Sequence, residues 1–350
     1  MTYTIHEADI EKDKGEIISF WKKNRGSHLD DKYRWIYEGN PCGKASVWIL
    51  TDDTTGTQVG MTSLFPRWFT AKGKRYCAGI AGDFIVMEGH RTLGPALMLQ
   101  KSVLSAVDSG RVDFVYSFPN KAAEPVMKRV GYNLLGPTVR LVRIFKSAPT
   151  LRRRGISELW VGLLSPLLDI ALKLRAFETW YCGKRGYVCE EVLTFDERFD
   201  KLWEESKEQF SIAGERSSLF LRWKYLEDFD EIHRIVAVFN LDKTILKGYI
   251  VFCFRDNCIH IRDFIFSCDG KATKVLMAWL LRYARSSAIE SISIGFLKND
   301  YLIRFMKDFG FMRGEDGRNA FFYCSKSTLG KLPLMKDSND WLLMDSDEDT

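Results

Sequence analysis

Hydrophobic and polar positions along residues 3–145 fall into two alternating patterns. Short apolar runs at Tyr3–Glu7, Ala45–Thr51, Gln58–Pro66, Lys74–Val86, Val112–Phe118 and Val139–Phe145 predict strands. Turn signals at Asp52–Gly56 and Ala71–Gly73 join the second, third and fourth of these into a meander. Helical spacing covers Ile10–Asn24, Asp31–Tyr37, Gly94–Ser109 and Lys121–Val130. In Gly94–Ser109 the apolar positions are Leu97, Leu99, Val103, Leu104 and Val107, which lie on one helical face. A meander followed by strand, helix, strand, helix and strand implies an α+β fold, a mixed and mostly antiparallel sheet covered by helices.

The pattern then repeats. YRWIY (Tyr33–Tyr37) returns as LRWKY (Leu221–Tyr225), and Gly60, which opens an apolar strand, returns as Gly248, both at an offset of 188. Asp83-Phe84-Ile85 returns as Asp263-Phe264-Ile265 at 180, Asn120 as Asn299 and Gly131-Tyr132 as Gly310-Phe311 at 179. A nearly constant offset of this size implies two whole domains rather than short stacked repeats. The expected division is 1–147 and 191–328, with a linker at 148–190 and an acidic tail at 329–350.

The segment Gly82–Gln100 carries the most chemistry. The apolar run Phe84-Ile85-Val86-Met87 enters a polar turn containing Arg91-x-x-Gly94-x-Ala96, and a helical pattern starts at once. A strand, a small-residue turn and a helix start bring free backbone N–H groups to one point, backed by the positive end of the helix dipole. Such a turn binds an anion, best a phosphate or pyrophosphate. Gly94 admits a close approach, Ala96 keeps the first turn thin and Arg91 adds a charged donor. The plain alternative is an ordinary strand-to-helix turn.

In spacing and context this turn resembles the pyrophosphate loop of the GNAT N-acetyltransferase superfamily, R/Q-x-x-G-x-G/A, with Pro95 departing from the usual amide-bearing residue. The resemblance extends over nearly the whole first copy, including Asn120 and Gly131-Tyr132 at the ends of the helix after the fifth strand. It implies a site for acetyl-CoA or another acyl-CoA made by Phe84, Ile85, Val86, Arg91, Thr92, Leu93, Gly94, Ala96 and Asn120, with no metal. It further implies N-acyl transfer, most simply N-acetyl transfer, to an amine such as an amino sugar of surface polysaccharide biosynthesis. Asp83 and Glu88 are the candidate bases. Met127 stands where the family often has an acid tyrosine, which leaves Tyr116 as the nearest substitute. The second copy has SCDGKATK (Ser267–Lys274) in place of HRTLGPA, so it is expected to be a degenerate partner domain. A Fem-like aminoacyl transferase and a catalytically inactive interaction protein are the rival readings.

Composition narrows the partners. A chain of 350 residues with 46% hydrophobic and 28% charged residues is able to bury full cores. Eight cysteines without a C-x-x-C pair suggest free thiols and a cytoplasmic setting, and a net charge of +5 gives little support for nucleic acid. The segment Thr138–Gly186 is different, with ten Lys/Arg against three Asp/Glu. Within it, Leu159–Leu174 is an apolar helix of about 24 Å, short of the ~30 Å hydrocarbon core. It is expected to pack between the domains. The alternative is that residues 152–177 lie on the inner face of a membrane, which would suit a lipid-linked acceptor. The tail from Asp345 onward is expected to be mobile and without function.

Overall fold

Strands and helices alternate much as their patterns require. The computed structural model describes residues 2–25, 29–174, 176–181, 186–331 and 336–348. The first half runs β1 (Tyr3–Ala8), α1 (Lys14–Arg25), α2 (Leu29–Lys32), β2 (Ser46–Asp52), β3 (Thr57–Ala71), β4 (Lys74–Val86), α3 (Leu93–Asp108), β5 (Phe114–Ser117), α4 (Glu124–Val130) and β6 (Asn133–Ile144). Then come α5 (Ala148–Arg153), α6 (Glu158–Leu174) and α7 (Phe177–Trp180). The second half runs β7 (Tyr187–Val192), α8 (Glu197–Ser206), β8 (Ile212–Gly214), α9 (Ser218–Leu226), β9 (Arg234–Asn240), β10 (Leu246–Arg255), β11 (Cys258–Phe266), α10 (Gly270–Ser286), β12 (Ser291–Leu297), α11 (Asp300–Asp308) and β13 (Met312–Cys324). It ends with α12 (Lys326–Lys331) and β14 (Trp341–Leu342).

These strands form one sheet rather than two, in the order β1-β2-β3-β4-β5-β13-β6-β12-β11-β10-β9-β7, with β8 joining β3 to β14. The mixed α/β class expected from the pattern is present, and the two halves run through similar element orders, with β8 extra in the second. Their last strands, however, change places. β13 of the second half pairs with β5 of the first, and β6 of the first pairs with β12 of the second. β6 and β13 also pair with each other, which makes the seam between the halves a continuous ladder. No local periodicity encodes that exchange, because both strands keep the inward and outward alternation either partner would need.

Two local departures follow from packing. Tyr33–Glu38, read as α-helix, is a π-helical turn whose Tyr33, Trp35, Ile36 and Tyr37 are all buried, more than one face of an ordinary helix can deliver. Its Trp35 meets Trp223 of the second half reciprocally, the indole N–H of each donating to the other's main-chain oxygen at 2.7 and 2.8 Å. β3 runs on to Ala71, paired with β4 up to Ala71↔Lys74 on one side and with β8 through Phe69–Ala71 on the other.

Two expectations are corrected here. The linker helix α6 does not pack between the halves, since Val161 is its one buried side chain among the described residues. The tail is not mobile over its described part. Asp347 is 1% exposed, and its carboxylate accepts from Arg67 of β3 at 3.1 Å and from Arg216 of the second half at 2.6 Å. Arg216 also reaches Asp263 at 3.3 Å, and the Tyr116 hydroxyl donates to the Asp347 main-chain oxygen at 3.0 Å. Burial alone would push the Asp347 carboxyl up, but Arg216 and Arg67 outweigh it and hold it below the usual carboxylate range. Arg67 and Arg216 supply a binding energy that composition could not show in an acidic tail.

Replacing Asp347 by Asn leaves two buried guanidinium groups short of a counter-charge. Asp347→Asn is expected to cost about 3–5 kcal/mol of unfolding free energy, read by denaturant titration. A change below about 1 kcal/mol would show that the tail does not anchor the halves.

Candidate functional site

A cleft opens where β4 and β5 part. They pair in parallel only through Ala78↔Phe114, Gly79↔Val115 and Ile80↔Tyr116. β4 then continues on β3 to Val86, whereas β5 stops at Ser117 and turns into Phe118-Pro119-Asn120. Pro119 has no N–H to extend the ladder. The Asn120 side chain instead accepts from the Ala123 N–H at 3.0 Å and starts the approach to α4. The Ser117 hydroxyl donates to the Ala81 carbonyl at 3.0 Å at the point of divergence. The resulting cavity of about 900 Å³ lies between β4, the start of α3, the β5–α4 turn and Arg318 of β13.

The β4 wall carries a bulge. Met61 pairs with Ile85 and Ser63 with Gly82, so Asp83 and Phe84 together oppose Thr62. Asp83 has a φ of +48°, the left-handed region that a non-glycine residue adopts only under constraint. A bulge takes main-chain groups out of the ladder, here in the wall of the cleft. The Asp83 carboxylate is buried, accepts from the Tyr37 hydroxyl at 2.5 Å and lies 4.0 Å from Lys32 Nζ. Burial, and next the charge of Asp83, push the Tyr37 hydroxyl well above its ordinary value, so it remains a donor. Behind the bulge, Tyr132 donates to Gln100, Gln100 to Thr62 and Thr62 to the Gly82 carbonyl, at 3.3, 3.4 and 3.4 Å. That chain ties α3 to the bulge. Gly60 permits the same approach, because a Cβ there would meet Leu99 and the Ile85 carbonyl at 3.0 Å.

The start of α3 offers groups suited to an anion. Not every amide of the turn is available: the Arg91 N–H is bound to the Glu88 carbonyl at 3.2 Å and the Thr92 N–H to His90 at 2.6 Å. The Thr92 side chain makes no cap hydrogen bond, and Pro95 has no N–H. Among the described residues no acceptor meets the Leu93 or Gly94 amide, and a Cβ on Gly94 would meet nothing within 4 Å. The Arg91 side chain lines the cleft and is steadied by its Nε donating to the Val86 carbonyl at 3.0 Å.

The structure therefore brings Asp83, Phe84, Ile85, Val86, Arg91, Thr92, Leu93, Ala96 and Asn120 to one cleft, with Gly94 beside them. It does not bring Glu88, which is exposed on the turn outside the lining. Tyr116 is also elsewhere, fully buried with its hydroxyl given to Asp347. Met127 does line the cleft. Sequence reasoning missed Arg318, which arrives on the exchanged strand, and Ser117, Tyr37 and Lys32, which only tertiary contact assembles. Asp83 is the one carboxylate in the described lining.

The second half has the matching cleft, about 570 Å³, lined by Phe264, Phe266, Gly270, Asn299, Phe305 and Trp341 among others. Its helix start is closed. The Asp269 carboxylate accepts from the Lys271 and Ala272 amides of α10 at 3.0 and 3.3 Å, occupying the place an anion would take. Asp263 differs from Asp83 in being held by Arg216 and Tyr249. The one metal-type cluster among the described residues, Glu231, His233 and Cys253, has Arg255 hydrogen-bonded to Glu231 and Arg262 within 3.5 Å of it, so a divalent cation would face two guanidinium groups.

No protein-family model and no curated protein matches the sequence. Solved structures do match in fold. A probable N-acyltransferase of unknown function from Enterococcus faecalis aligns at a TM-score of 0.67 with 13% identity, over 92% of this chain and 72% of that one. A GCN5-related N-acetyltransferase from Anabaena variabilis gives 0.64 and 13%, over 92% and 73%. Saccharomyces cerevisiae N-myristoyltransferase with bound myristoyl-CoA gives 0.56 and 13%, over 92% and 79%. The chain thus has the GNAT superfamily fold.

The two helix starts allow a direct exchange test. Thr92→Asp places a carboxylate on the Gly94 amide, the one cap position that Pro95 leaves, with a gain in stability of about 0.5–1 kcal/mol and loss of pyrophosphate binding by calorimetry. Retained binding would show that the Leu93 and Gly94 amides are not the anion site.

Proposed function

We propose that this chain is an acyl-CoA-dependent N-acyltransferase whose donor site is the cleft of the first half, and that the acyl group is most simply acetyl. The observation that supports this most is the contrast between the two halves. One helix start in an open cleft offers unbound amides beside an arginine, and its counterpart is filled by an aspartate. A pyrophosphate carries the charge that the first arrangement lacks and the second already holds.

The chemistry follows from the lining. The pyrophosphate sits on the Leu93 and Gly94 amides with Arg91, and the pantetheine arm runs along Phe84–Val86 toward the bulge. A main-chain amide freed at the bulge donates to the thioester carbonyl and stabilises the oxyanion as the neutral amine attacks. The C–N bond forms and the C–S bond breaks. The proton lost by the amine goes to Asp83, directly or through one water. Met127 supplies no acid, and none is required, because a thiol of pKa near 8.5 leaves readily as thiolate. The acceptor is an amine, with an amino sugar as the first candidate.

Free CoA at about 100 times its Kd should stabilise the protein by roughly 2.7 kcal/mol, and Arg91→Glu should abolish that shift while leaving the fold intact. No shift with CoA or acyl-CoA would end this reading in favour of an interaction protein. Asp83→Asn should keep CoA binding and lower the transfer rate about 10²–10⁴-fold, measured as thiol release with an amine acceptor. An unchanged rate would remove Asp83 from the proton's path.

A further inference from the structure

The linker helix α6 is built inside out. Its polar stripe faces the protein: the Asp169 carboxylate accepts the Ser147 N–H at 2.7 Å, and the Ser165 carbonyl accepts the Ser147 hydroxyl at 3.2 Å. Its apolar side chains face solvent, with Leu159 82%, Leu163 64%, Leu167 67%, Ile170 57% and Leu174 58% exposed. At 100° per residue these five fall within one quarter of the helical wheel, and Trp160, Leu164 and Leu168 extend the same face. Isolated exposed leucines need no explanation, but a continuous apolar helix face does. Trp160 and Trp180 are also exposed, and the Trp180 indole donates to the Leu174 carbonyl at 2.6 Å, holding its ring at the helix end.

Charge identifies what covers this face. The acids of α6 are engaged, Asp169 by Ser147 and Glu158 by Arg152 at 2.8 Å. Arg153 and Arg154 stand exposed at the turn before the helix and Lys173 near its end, and among the described residues none of the three meets a carboxylate within 4 Å. An outward apolar face with Arg153, Arg154 and Lys173 beside it suits an anionic lipid surface better than a second copy, which would set the same cations against each other. The helix has 17 residues, and among the described residues no helix is long and apolar enough to cross a membrane.

We propose that α6 seats the protein on the surface of an anionic lipid bilayer, lying in the interface with its leucines in the acyl boundary, its tryptophans at headgroup level and Arg153, Arg154 and Lys173 on the lipid phosphates. This docking stands independently of the acyl-transfer reading, and it uses residues outside both clefts. It places the protein where a lipid-borne acceptor would be found.

The test is sedimentation of the full chain with vesicles of phosphatidylcholine, with or without added phosphatidylglycerol, beside light scattering of the protein alone. The wild type should be monomeric and should bind the phosphatidylglycerol vesicles far better than the neutral ones. Leu163→Glu with Leu167→Glu should lower vesicle affinity about tenfold or more. Arg153→Glu with Arg154→Glu should erase the preference for anionic vesicles. Both pairs should keep the wild-type melting temperature and CoA response. No vesicle binding at low salt, or binding indifferent to the Leu163 and Leu167 changes, would overturn the proposal. So would a wild-type dimer that those changes split into monomers.

Discussion

One buried carboxylate holds the two halves in register. Asp347 accepts from Arg67 on one side and Arg216 on the other, with Tyr116 on its main-chain oxygen. Two guanidinium groups at 2% and 1% exposure would each carry a large desolvation cost, and Asp347 offsets both. Because Arg67 lies on β3 and Arg216 beside β8, the ion cluster and the β3–β8 pairing specify the same geometry.

The two clefts differ through a single capping choice. Both share the splayed parallel strands, the following helix and the Asn-initiated helix after it. Asp269 accepts the Lys271 and Ala272 amides of α10, whereas Thr92 leaves the equivalent Gly94 amide of α3 open. Elsewhere the same asymmetry recurs: Asp83 sits in a left-handed bulge facing the cleft, and Asp263 is drawn into the ion cluster.

Much of this was legible in the chain. The strand and helix order, the repeat and the small-residue turn all follow from local periodicity and spacing, which need only neighbouring residues. What escaped depends on distant contacts. Arg318 reaches the first cleft only because β13 crosses the seam. Tyr116 looked like a substitute acid by sequence proximity, yet a 231-residue separation brings Asp347 to its hydroxyl. The tail reads as a mobile acidic end by composition, and its ordering depends on two arginines far upstream. The apolar linker helix was recognised, but periodicity alone does not say which face turns inward.

The exchanged strands bear on biogenesis. When β5 and β6 have left the ribosome, the slot between them is still empty, and it is filled only by residues 312–324. The nascent first half therefore leaves one edge of β5 and both edges of β6 unpaired until β12 and β13 are made. Such long-range pairing gives a high contact order, slow closure and a demand for chaperone protection that a simple bead-on-a-string duplication would escape.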